Sequence, residues 1–289
     1  MITIGIPFYN DEQFLDYAIK SVFNQTYTDW KLILISDGGT DNSLSIARKY
    51  ENDPRVTIIS DGENRKLPYR LNQIAQLSTT KYLARMDADD IMHPERIEKQ
   101  LEILQKNPDI DVLGTNAFSI DDKNNIQGLR MKIGEEGYQL FDVRSFIHPS
   151  IMAKTEWFRD NPYDDKAVRC EDAELWIRTY KVNIFKVYTN PLLFYREIST
   201  GFYKKYLTST YGLKYIASKL YKKDKVEGIK YFFNGFVRYK ITGSLYYLFS
   251  IANLEHALIS KRNIGDIESF EEGSRLLNKM LQENQKIEI

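Results

Sequence analysis

The sequence predicts an α/β protein: a mostly parallel central sheet with helices on both faces, followed by a C-terminal helical extension. Apolar strand patterns alternate with amphipathic helix patterns through the first hundred residues, an order that favours right-handed crossovers between parallel strands. Beyond Ser199 the pattern is helical to the end of the chain. A length of 289 residues allows one large or two small domains, and we divide the chain into residues 1–199 and 200–289.

The predicted strands are short apolar runs. The first, at 2–6, is ended by Pro7, and the run at 31–36 is apolar without alternation, which is typical of a strand covered on both faces. The other predicted strands lie at 56–60, 82–86, 112–115, 117–120, 151–153 and 192–196.

Helical periodicity separates these strands. Asn10 or Asp11 is expected to cap the first helix, and Pro94 stands where the first residue of a later helix is favoured. We expect the C-terminal helices to break near three glycines, Gly228, Gly243 and Gly265. The predicted helices cover 14–22, 40–50, 67–77, 94–104 and 171–181.

Composition excludes several classes of function. Lys and Arg number 40, as do Asp and Glu, so the chain as a whole is no nucleic-acid-binding polycation and we expect no nucleic-acid partner. Cys170 is the single cysteine, which excludes a disulfide framework and a cysteine-rich zinc site. The first residues show no signal-peptide pattern, and no run approaches the ~20 apolar residues that span a bilayer. We therefore expect a cytoplasmic protein.

Carboxylates follow two strands of the predicted sheet. Asp37 comes directly after the strand at 31–36, and Asp87 comes directly after the strand at 82–86. The carboxyl ends of parallel strands meet at one edge of the sheet, where ligands bind. We therefore expect both carboxylates on one rim.

The Asp87-Ala88-Asp89 cluster is the most informative pattern. In an irregular turn, both carboxylates can reach one hard divalent cation, which keeps positions open for phosphate oxygens and water. The alternative is a solvated turn, with Asp90 capping the following helix. Asp37 is likewise either a turn residue before two glycines or an acceptor for the base or ribose of a nucleotide.

Glu171 and Asp172 begin a predicted helix. The helix macrodipole stabilises carboxylates at this position, so capping alone can explain them. The functional alternative is that one of them faces a metal site and takes a proton from an incoming hydroxyl. Neighbouring carboxylates would raise the pKa of such a group, and a metal or a helix terminus would lower it.

Four segments carry a family resemblance: TIGIPFYN, SVFNQTYTDWKLILISDGGTDNS, YLARMDADDIMHPERIEKQ and CEDAELWIRTY. In this order, through about Arg196, they resemble family 2 glycosyltransferases with the GT-A fold, a Rossmann-like arrangement. The similarity is strongest to bacterial members that build capsular, exopolysaccharide or lipopolysaccharide glycans. Each motif alone is weak, whereas their combination is specific.

The resemblance implies an inverting enzyme that moves a sugar from a nucleotide-diphosphate sugar, first of all a UDP-sugar, to a hydroxyl of a glycan or lipid-linked acceptor. It also implies a Mn²⁺ or Mg²⁺ cofactor, with Asp89 as the direct ligand and Asp87 as a second or indirect one. Asp172 matches the general base, with Glu171 beside it as an alternative or support. The residues that match the nucleotide-sugar side are Pro7, Tyr9, Asp37 and Asp87, with Arg70 and Asn72 as further candidates.

On the acceptor side we place His148 and Trp176. His148 precedes Pro149 in a predicted loop, and a structural hydrogen-bond donor is its alternative role. Trp176 is expected to point inward from its helix. The Gln-x-x-Arg-Trp motif of processive family members is missing, which favours the addition of one sugar per event.

Two other functions stay open. A nucleotidyltransferase would share the sheet and the carboxylates, but it should carry a Gly-rich, Lys-containing loop where this chain has Pro7-Phe8-Tyr9-Asn10. A catalytically inactive module that binds sugar nucleotides is the non-enzymatic alternative. The presence of Asp87, Asp89 and Asp172 argues against it.

The segment 201–240 concentrates positive charge. It holds ten Lys or Arg against Asp224 and Glu227, a net charge of +8, together with eleven Phe or Tyr. Solvated helix faces over aromatic packing would explain this. So would docking of a peripheral enzyme on anionic lipids at the inner face of the cell membrane, at ~1 kcal/mol per basic residue. The second interpretation suits lipid-linked acceptors, and both stay open.

Overall fold

A computed structural model of the protein describes residues 1–130, 146–197, 210–252, 254 and 267–284. Within these ranges, nine strands form one sheet: β1 (Ile2–Phe8), β2 (Trp30–Ser36), β3 (Val56–Ser60), β4 (Tyr82–Arg85), β5 (Ile91–Met92), β6 (Val112–Ile120), β7 (Ile126–Arg130), β8 (Met152–Lys154) and β9 (Phe185–Arg196). The helices of the described residues are α1 (Leu15–Phe23), α2 (Ser43–Arg48), α3 (Lys66–Leu77), α4 (Arg96–Lys106), α5 (Thr155–Asp160), α6 (Glu171–Thr179), α7 (Thr210–Lys223), α8 (Lys225–Ile251) and α9 (Ile267–Asn284).

The sheet is mostly parallel, as predicted. Its order is β3-β2-β1-β4-β8-β6-β9-β5, and β7 pairs with β6 outside this path. Strands β3, β2, β1 and β4 run parallel to one another. Because β8 is antiparallel to both β4 and β6, strands β6 and β9 point the same way as β4. The carboxyl ends of β1, β2 and β4 therefore lie side by side at one edge.

Both faces of the sheet are covered, which explains why all seven residues of β1 are buried. On one face, α1 and α4 pack against β1 and β2 through side chains such as Leu15, Ile97 and Leu101. On the other face, α3, α5 and α6 pack with an aromatic cluster that includes Trp157 and Trp176. The alternation of strands and helices in the sequence is thus realised as helix layers on both sides.

The region after β5 is more regular than the sequence predicts. The two strands expected at 112–115 and 117–120 are one continuous strand, β6. Asn116, which lies between the two predicted strands, is buried and donates its side-chain amide to the backbone carbonyl of Thr189 at 2.6 Å. The polar side chain therefore finds its partner within the sheet, and the strand continues past it.

Several helix boundaries differ from the prediction. Helix α1 begins at Leu15 rather than directly after Asn10 or Asp11, because the Asp11 carbonyl accepts from the backbone N–H groups of Phe14 and Leu15 in a preceding turn. Helix α4 begins at Arg96, two residues after Pro94. In both cases a turn stands between the signal residue and the helix.

The helix break expected near Gly228 falls four residues earlier, at Asp224 between α7 and α8, and the break expected near Gly243 is wrong, because α8 runs unbroken through both glycines. Both glycines are buried on the inner face of α8. A Cβ on Gly228 would lie 2.5 Å from the backbone nitrogen of Tyr221, so this glycine permits close packing of α8 on α7. The break expected near Gly265 lies outside the described residues.

Among the described residues, the C-terminal helical extension packs on the rest of the protein through α7 and α9. Helix α7 packs against 167–177 through Ile216 and Leu220. Helix α9 returns to the sheet, where Leu277 and Met280 pack against Phe118 of β6. The predicted boundary between 199 and 200 falls outside the described residues. None of the helices described here is long and apolar enough to cross a lipid bilayer.

Candidate active site

A cleft of about 450 Å³ opens at the carboxyl ends of β1, β2 and β4. Its floor follows these three strands, its sides come from the start of α3 and the segment before α6, and all of these elements converge from distant parts of the chain. The lining residues are Pro7, Phe8, Tyr9, Asp11, Asp37, Asn64, Lys66, Leu67, Pro68, Arg70, Asp87, Ala88, Asp89, Val168, Arg169 and Glu171.

Asp37, at the end of β2, is held by three donors. Its Oδ1 accepts from the backbone nitrogen of Arg65 at 2.8 Å and from Nε of Arg70 at 2.8 Å. Its Oδ2 accepts from the backbone nitrogen of Lys66 at 3.1 Å. Gly38 makes this approach possible, because it has φ +71° and a Cβ there would lie 2.8 Å from the backbone of Glu63.

Arg70 is fully buried, and its guanidinium is occupied within the protein. Besides Asp37, it donates to both carboxylate oxygens of Asp61 at 3.0 and 2.6 Å, to Gln73 at 2.9 Å and to the Glu63 carbonyl at 2.5 Å. With its three nitrogens engaged in this way, Arg70 fixes the position of Asp37 in the cleft wall.

Asn72 lies two residues further along α3 and supports the opposite wall. Its Nδ2 donates to the backbone carbonyl of Tyr163 at 2.8 Å, and its Oδ1 accepts from the backbone nitrogen of Tyr163 at 2.8 Å. The side chain thus ties α3 to the loop before α6. It is not among the residues that line the cleft in the described part of the chain.

Three carboxylates crowd together after β4. Asp87, Asp89 and Asp90 each place an oxygen within 4.8 Å of the others. Burial and the nearby Asp87 carboxylate raise the pKa of Asp89 to about 7. Asp90 is completely buried, and its pKa is held well above the usual range by burial and by Asp89. Its Oδ1 accepts from the backbone nitrogen of Arg196 at 2.8 Å, and its Oδ2 has no hydrogen-bond partner among the described residues.

Two arginines support the carboxylate loop. Arg85 is buried and donates Nη2 to Oδ1 of Asp87 at 2.5 Å. Arg196, at the end of β9, donates Nε to the Asp89 carbonyl at 2.7 Å and Nη2 to the side chain of Asn124 at 2.7 Å. It also donates Nη1 to the carbonyl of Asp121. These contacts fix the loop, but they leave its negative charge only partly compensated.

The donor set fits a hard divalent cation. Carboxylate oxygens are the ligands that Mg²⁺ and Mn²⁺ prefer, and three of them already lie close together. Burial, followed by the charge of Asp87, raises the pKa of Asp89, and Oδ2 of Asp90 has no hydrogen-bond partner among the described residues, so a further positive charge here would stabilise the ionised carboxylates. A divalent cation would supply it.

Glu171 and Asp172 occupy the first turn of α6. Of these two, among the residues that the structure describes, only Glu171 lines the cleft. Burial, followed by the charge of Asp172, raises the pKa of Glu171 to about 7. Asp172 accepts from the backbone nitrogen of Ala173 at 2.7 Å, as expected for a carboxylate at a helix N-terminus.

His148 and Trp176 lie behind this wall of the cleft, within the core. His148 is buried, and its Nε2 lies 2.8 Å from the hydroxyl of Tyr163. Burial, followed by the positive charge of Arg85, lowers the pKa of His148 well below its usual range. The Trp176 ring meets His148 edge-on at 5.8 Å and Phe146 at 5.4 Å.

Sequence reasoning missed three charged side chains of the cleft. Asp11 lines it beside Tyr9, whose backbone nitrogen donates to Asp11 Oδ2 at 2.8 Å, and burial, with a smaller contribution from Asp87, raises the pKa of Asp11 to about 6. Lys66 and Arg169 supply exposed positive charge at the rim. Asp11 follows the first strand by three residues, so the topological argument used for Asp37 and Asp87 would also have found it.

Comparison with known proteins identifies the family of the chain. The sequence pattern described as glycosyl transferase family 2 matches residues 3–166, more than half of the chain. The chain is 30% identical to an uncharacterized glycosyltransferase of Methanocaldococcus jannaschii over 74% of its length and 78% of the relative. It is 31% identical to the putative glycosyltransferase EpsE of Bacillus subtilis, over 72% and 77%. It is 29% identical to the O-antigen biosynthesis glycosyltransferase WbnJ of Escherichia coli, over 62% and 71%.

Solved structures share the architecture. TarS of S. aureus in complex with UDP superimposes with a TM-score of 0.62 at 17% identity, covering 80% of this chain and 69% of the other. A mannosyltransferase from Pyrobaculum calidifontis in complex with GDP-Man and Mn²⁺ gives a TM-score of 0.59 at 14% identity, over 96% and 78%. At these identities the likeness concerns the fold alone, which is GT-A. Together with the sequence match, it establishes that the chain belongs to glycosyl transferase family 2 and is a glycosyltransferase.

Proposed function

We propose that the protein transfers one sugar per event from a nucleotide-diphosphate sugar to a hydroxyl of a glycan or lipid-linked acceptor, with inversion, in the synthesis of a surface polysaccharide. One observation carries this proposal: a single cleft brings together Asp37, the Asp87–Asp89 turn and the start of α6. The similarity to WbnJ, an O-antigen biosynthesis glycosyltransferase, supports the polysaccharide context. The nucleotides bound to TarS and to the mannosyltransferase support a nucleotide donor, with a UDP-sugar as our first choice.

The nucleoside would occupy the side of the cleft formed after β1 and β2. Pro7 is buried and shapes the wall, whereas Tyr9 is 48% exposed at the mouth, where its ring can cover a base. Asp37 retains acceptor capacity on Oδ2, which accepts one hydrogen bond, from the backbone nitrogen of Lys66. We assign to Asp37 the contact with the base or ribose, and to Arg70 the task of holding Asp37 in place.

The diphosphate would face the carboxylate corner. We assign Asp89 as the direct ligand of Mg²⁺ or Mn²⁺ and Asp87 as the second or indirect ligand. The cation, when bound, neutralises charge that develops on the leaving diphosphate. Lys66 and Arg169 add positive charge at the rim, where they can attract the same anion.

The acceptor hydroxyl would lose its proton to Asp172. In the step we propose, the hydroxyl oxygen bonds to the anomeric carbon while the bond from that carbon to the diphosphate oxygen breaks, and the nucleoside diphosphate leaves. Attack from the face opposite the leaving group inverts the configuration through an oxocarbenium-like transition state. Asp172 lies in the first turn of α6 and accepts a hydrogen bond from the backbone nitrogen of Ala173. Glu171, whose pKa is raised to about 7, supports this side of the cleft.

The decisive experiment compares Asp172→Asn with its neighbour Glu171→Gln as the matched control. Sugar nucleotides that stabilise the protein against thermal unfolding in the presence of Mn²⁺ identify the donor, and release of nucleoside diphosphate then measures transfer. We expect Asp172→Asn to keep donor binding and lose turnover by about 10²- to 10⁴-fold, the range that a general base contributes. We expect Glu171→Gln to lose less than about tenfold.

The outcomes separate the alternatives. Near-normal turnover in Asp172→Asn would reject Asp172 as the base. A large loss of turnover confined to Glu171→Gln would assign the role to Glu171 instead. Donor binding without any release of nucleoside diphosphate by the unaltered protein, across a panel of acceptors, would instead favour an inactive binding module. The anomeric configuration of the product, read by NMR, tests inversion directly.

A further inference from the structure

Helix α8 exposes a continuous apolar stripe along one face. Its apolar side chains recur every three or four residues, the spacing of one face of an α-helix, and the series spans about 38 Å at 1.5 Å per residue. Their exposed fractions run from 46% to 67%. The stripe consists of Val226, Ile229, Phe233, Val237, Ile241, Leu245, Leu248 and Ile251.

The opposite face of α8 is packed, so the stripe is the outer surface of a docked helix. Gly228 lies against Tyr221 of α7, and a Cβ on Gly235 would come within 2.2 Å of the Leu213 side chain. Tyr246 is buried on the same inner face. Because α7 fills the inner side, the stripe cannot turn inward to bury itself. Exposed apolar surface of this extent marks an interaction site.

The charges around the stripe are almost all positive. Lys230 and Lys240 project from the same exposed side of α8, and Lys222 and Lys223 end α7 beside its start. The two acidic residues nearby are engaged locally. Asp224 caps the helix by accepting from the backbone nitrogens of Val226 and Glu227, and Glu227 lies 3.7 Å from the Lys181 ammonium. An apolar stripe with a basic border complements an anionic lipid surface.

We infer that α8 docks the protein on the surface of an anionic lipid bilayer. The helix lies in the plane of the interface, with the stripe at the boundary of headgroups and acyl chains and with Lys230 and Lys240 on lipid phosphates. A second copy of the chain is a poorer occupant. In a two-fold interface the same patch meets itself, so these lysines would oppose their own counterparts.

The docked surface is mechanically connected to the cleft. Helix α7 lies between α8 and the segment that leads into α6, where Gly212 packs on Cys170, just before Glu171. Tyr215 donates to Asp164 at 2.6 Å, and Lys219 binds both Asp164 at 2.5 Å and Glu174 at 2.7 Å. Docking would therefore hold the side of the cleft that carries the proposed general base, Asp172, at a fixed distance from the lipid surface. This last consequence rests on the proposed function with a lipid-linked acceptor, whereas docking itself does not.

Vesicle co-sedimentation of the full chain tests the inference. The vesicles contain phosphatidylcholine alone or phosphatidylcholine mixed with phosphatidylglycerol, at low and at high salt. We expect binding to the anionic vesicles to exceed binding to neutral ones by at least about tenfold and to fall as salt rises. Lys230→Glu with Lys240→Glu should weaken binding by about 30-fold or more, since each basic residue contributes about 1 kcal/mol.

Matched variants separate the stripe from general surface effects. Phe233→Ser with Ile241→Ser removes two exposed apolar side chains from the stripe, and we expect at least about a tenfold loss of vesicle binding. The controls are Leu77→Ser, an exposed apolar residue at the end of α3, and Lys49→Glu, an exposed lysine after α2. Both controls should bind as the unaltered chain does.

Three results would overturn the inference. Absence of binding to the anionic vesicles would do so, as would binding that the stripe variant retains in full. A dimer in light scattering that the stripe variant converts to a monomer, without vesicle binding, would assign the stripe to a second copy. Release of nucleoside diphosphate during sugar transfer to a water-soluble acceptor, measured on the same variants, reports separately on the proposed function and should not change.

Discussion

The two sides of the cleft treat their carboxylates in opposite ways. On the β2 side, Asp37 receives two backbone N–H groups and the guanidinium of the fully buried Arg70. On the β4 side, Asp89 and Asp90 lie against a third carboxylate, Asp87; burial raises both pKa values, followed by the charge of Asp87 at Asp89 and the charge of Asp89 at Asp90. The Asp37 carboxylate thus has its hydrogen-bond donors and a cationic partner within the folded chain, whereas the Asp89–Asp90 pair faces further carboxylates.

The two environments suit the carboxylates to different roles in binding. A carboxylate whose charge is compensated internally is a rigid hydrogen-bond acceptor, which suits the recognition of a neutral base or ribose. Carboxylates whose charges are uncompensated destabilise the protein until a cation arrives, which suits reversible binding of a metal and a diphosphate. Mutations on the two sides should therefore fail in different ways: on one side through stability, on the other through cation dependence.

The largest effect is expected from Asp89→Ala on the β4 side. Loss of the proposed direct ligand should reduce transfer by about 10³-fold or more and remove the thermal stabilisation that Mn²⁺ gives in the presence of donor. Differential scanning fluorimetry with and without Mn²⁺ measures the second effect. Asp122→Ala, an exposed carboxylate in the turn after β6, is the control and should retain both properties. Unchanged stabilisation by Mn²⁺ in Asp89→Ala would place the cation elsewhere.

An intermediate effect is expected from Arg70→Met on the β2 side. Removal of one partner of a buried ion pair leaves Asp37 uncompensated, and the free energy of unfolding should fall by about 3 kcal/mol. Urea denaturation measures it. Arg65→Met is the matched control, because Arg65 reaches Asp37 only through its backbone nitrogen and its side chain is half exposed. A loss below about 1 kcal/mol in Arg70→Met would show that Asp37 does not depend on it.

The smallest effect is a pH dependence of stability without metal. The pKa values of Asp89 and Glu171 are raised to about 7 in the folded protein, so the folded state holds protons that the unfolded chain releases near pH 4. The stabilisation that these two protonated carboxyl groups contribute is fully present below pH 4 and is lost as pH rises through about 7. The melting temperature should fall by several degrees over this interval. The melting temperature should fall less in Asp89→Asn or with saturating Mn²⁺. An equal fall in the unaltered protein, in Asp89→Asn and with Mn²⁺ would contradict the assignment of the raised pKa to Asp89.

Sequence reasoning brought Asp37, Asp87 and Asp89 to one edge because strand direction alone decides where the residue after a strand lies. The same logic did not reveal that Asp90 joins the cluster, since a carboxylate beside a helix start is normally a cap. Nor could it pair Arg70 with Asp37, because that contact joins α3 to the end of β2 and depends on how the helix packs on the sheet.

The C-terminal helices show another limit of sequence patterns. Gly228 and Gly243 read as helix breakers, yet both lie on the buried face of α8, where α7 approaches too closely for a side chain at Gly228. A glycine selected for close packing cannot be told from one selected for a turn without knowledge of the neighbouring helix. The basic and aromatic composition of 201–240 was visible in the sequence, whereas the outward stripe of α8 required its orientation.

Arg196 has a practical consequence for protein engineering. Its backbone nitrogen and side chain connect Asp90 and the Asp89 carbonyl to the carbonyl of Asp121 and the side chain of Asn124 in the β6–β7 turn. That turn lies at the surface and would ordinarily be chosen for inserting an affinity tag or a foreign loop. An insertion in this turn would disturb the Arg196 contacts and, through them, the loop that carries Asp89 and Asp90. Tags therefore belong at positions outside the β6–β7 turn.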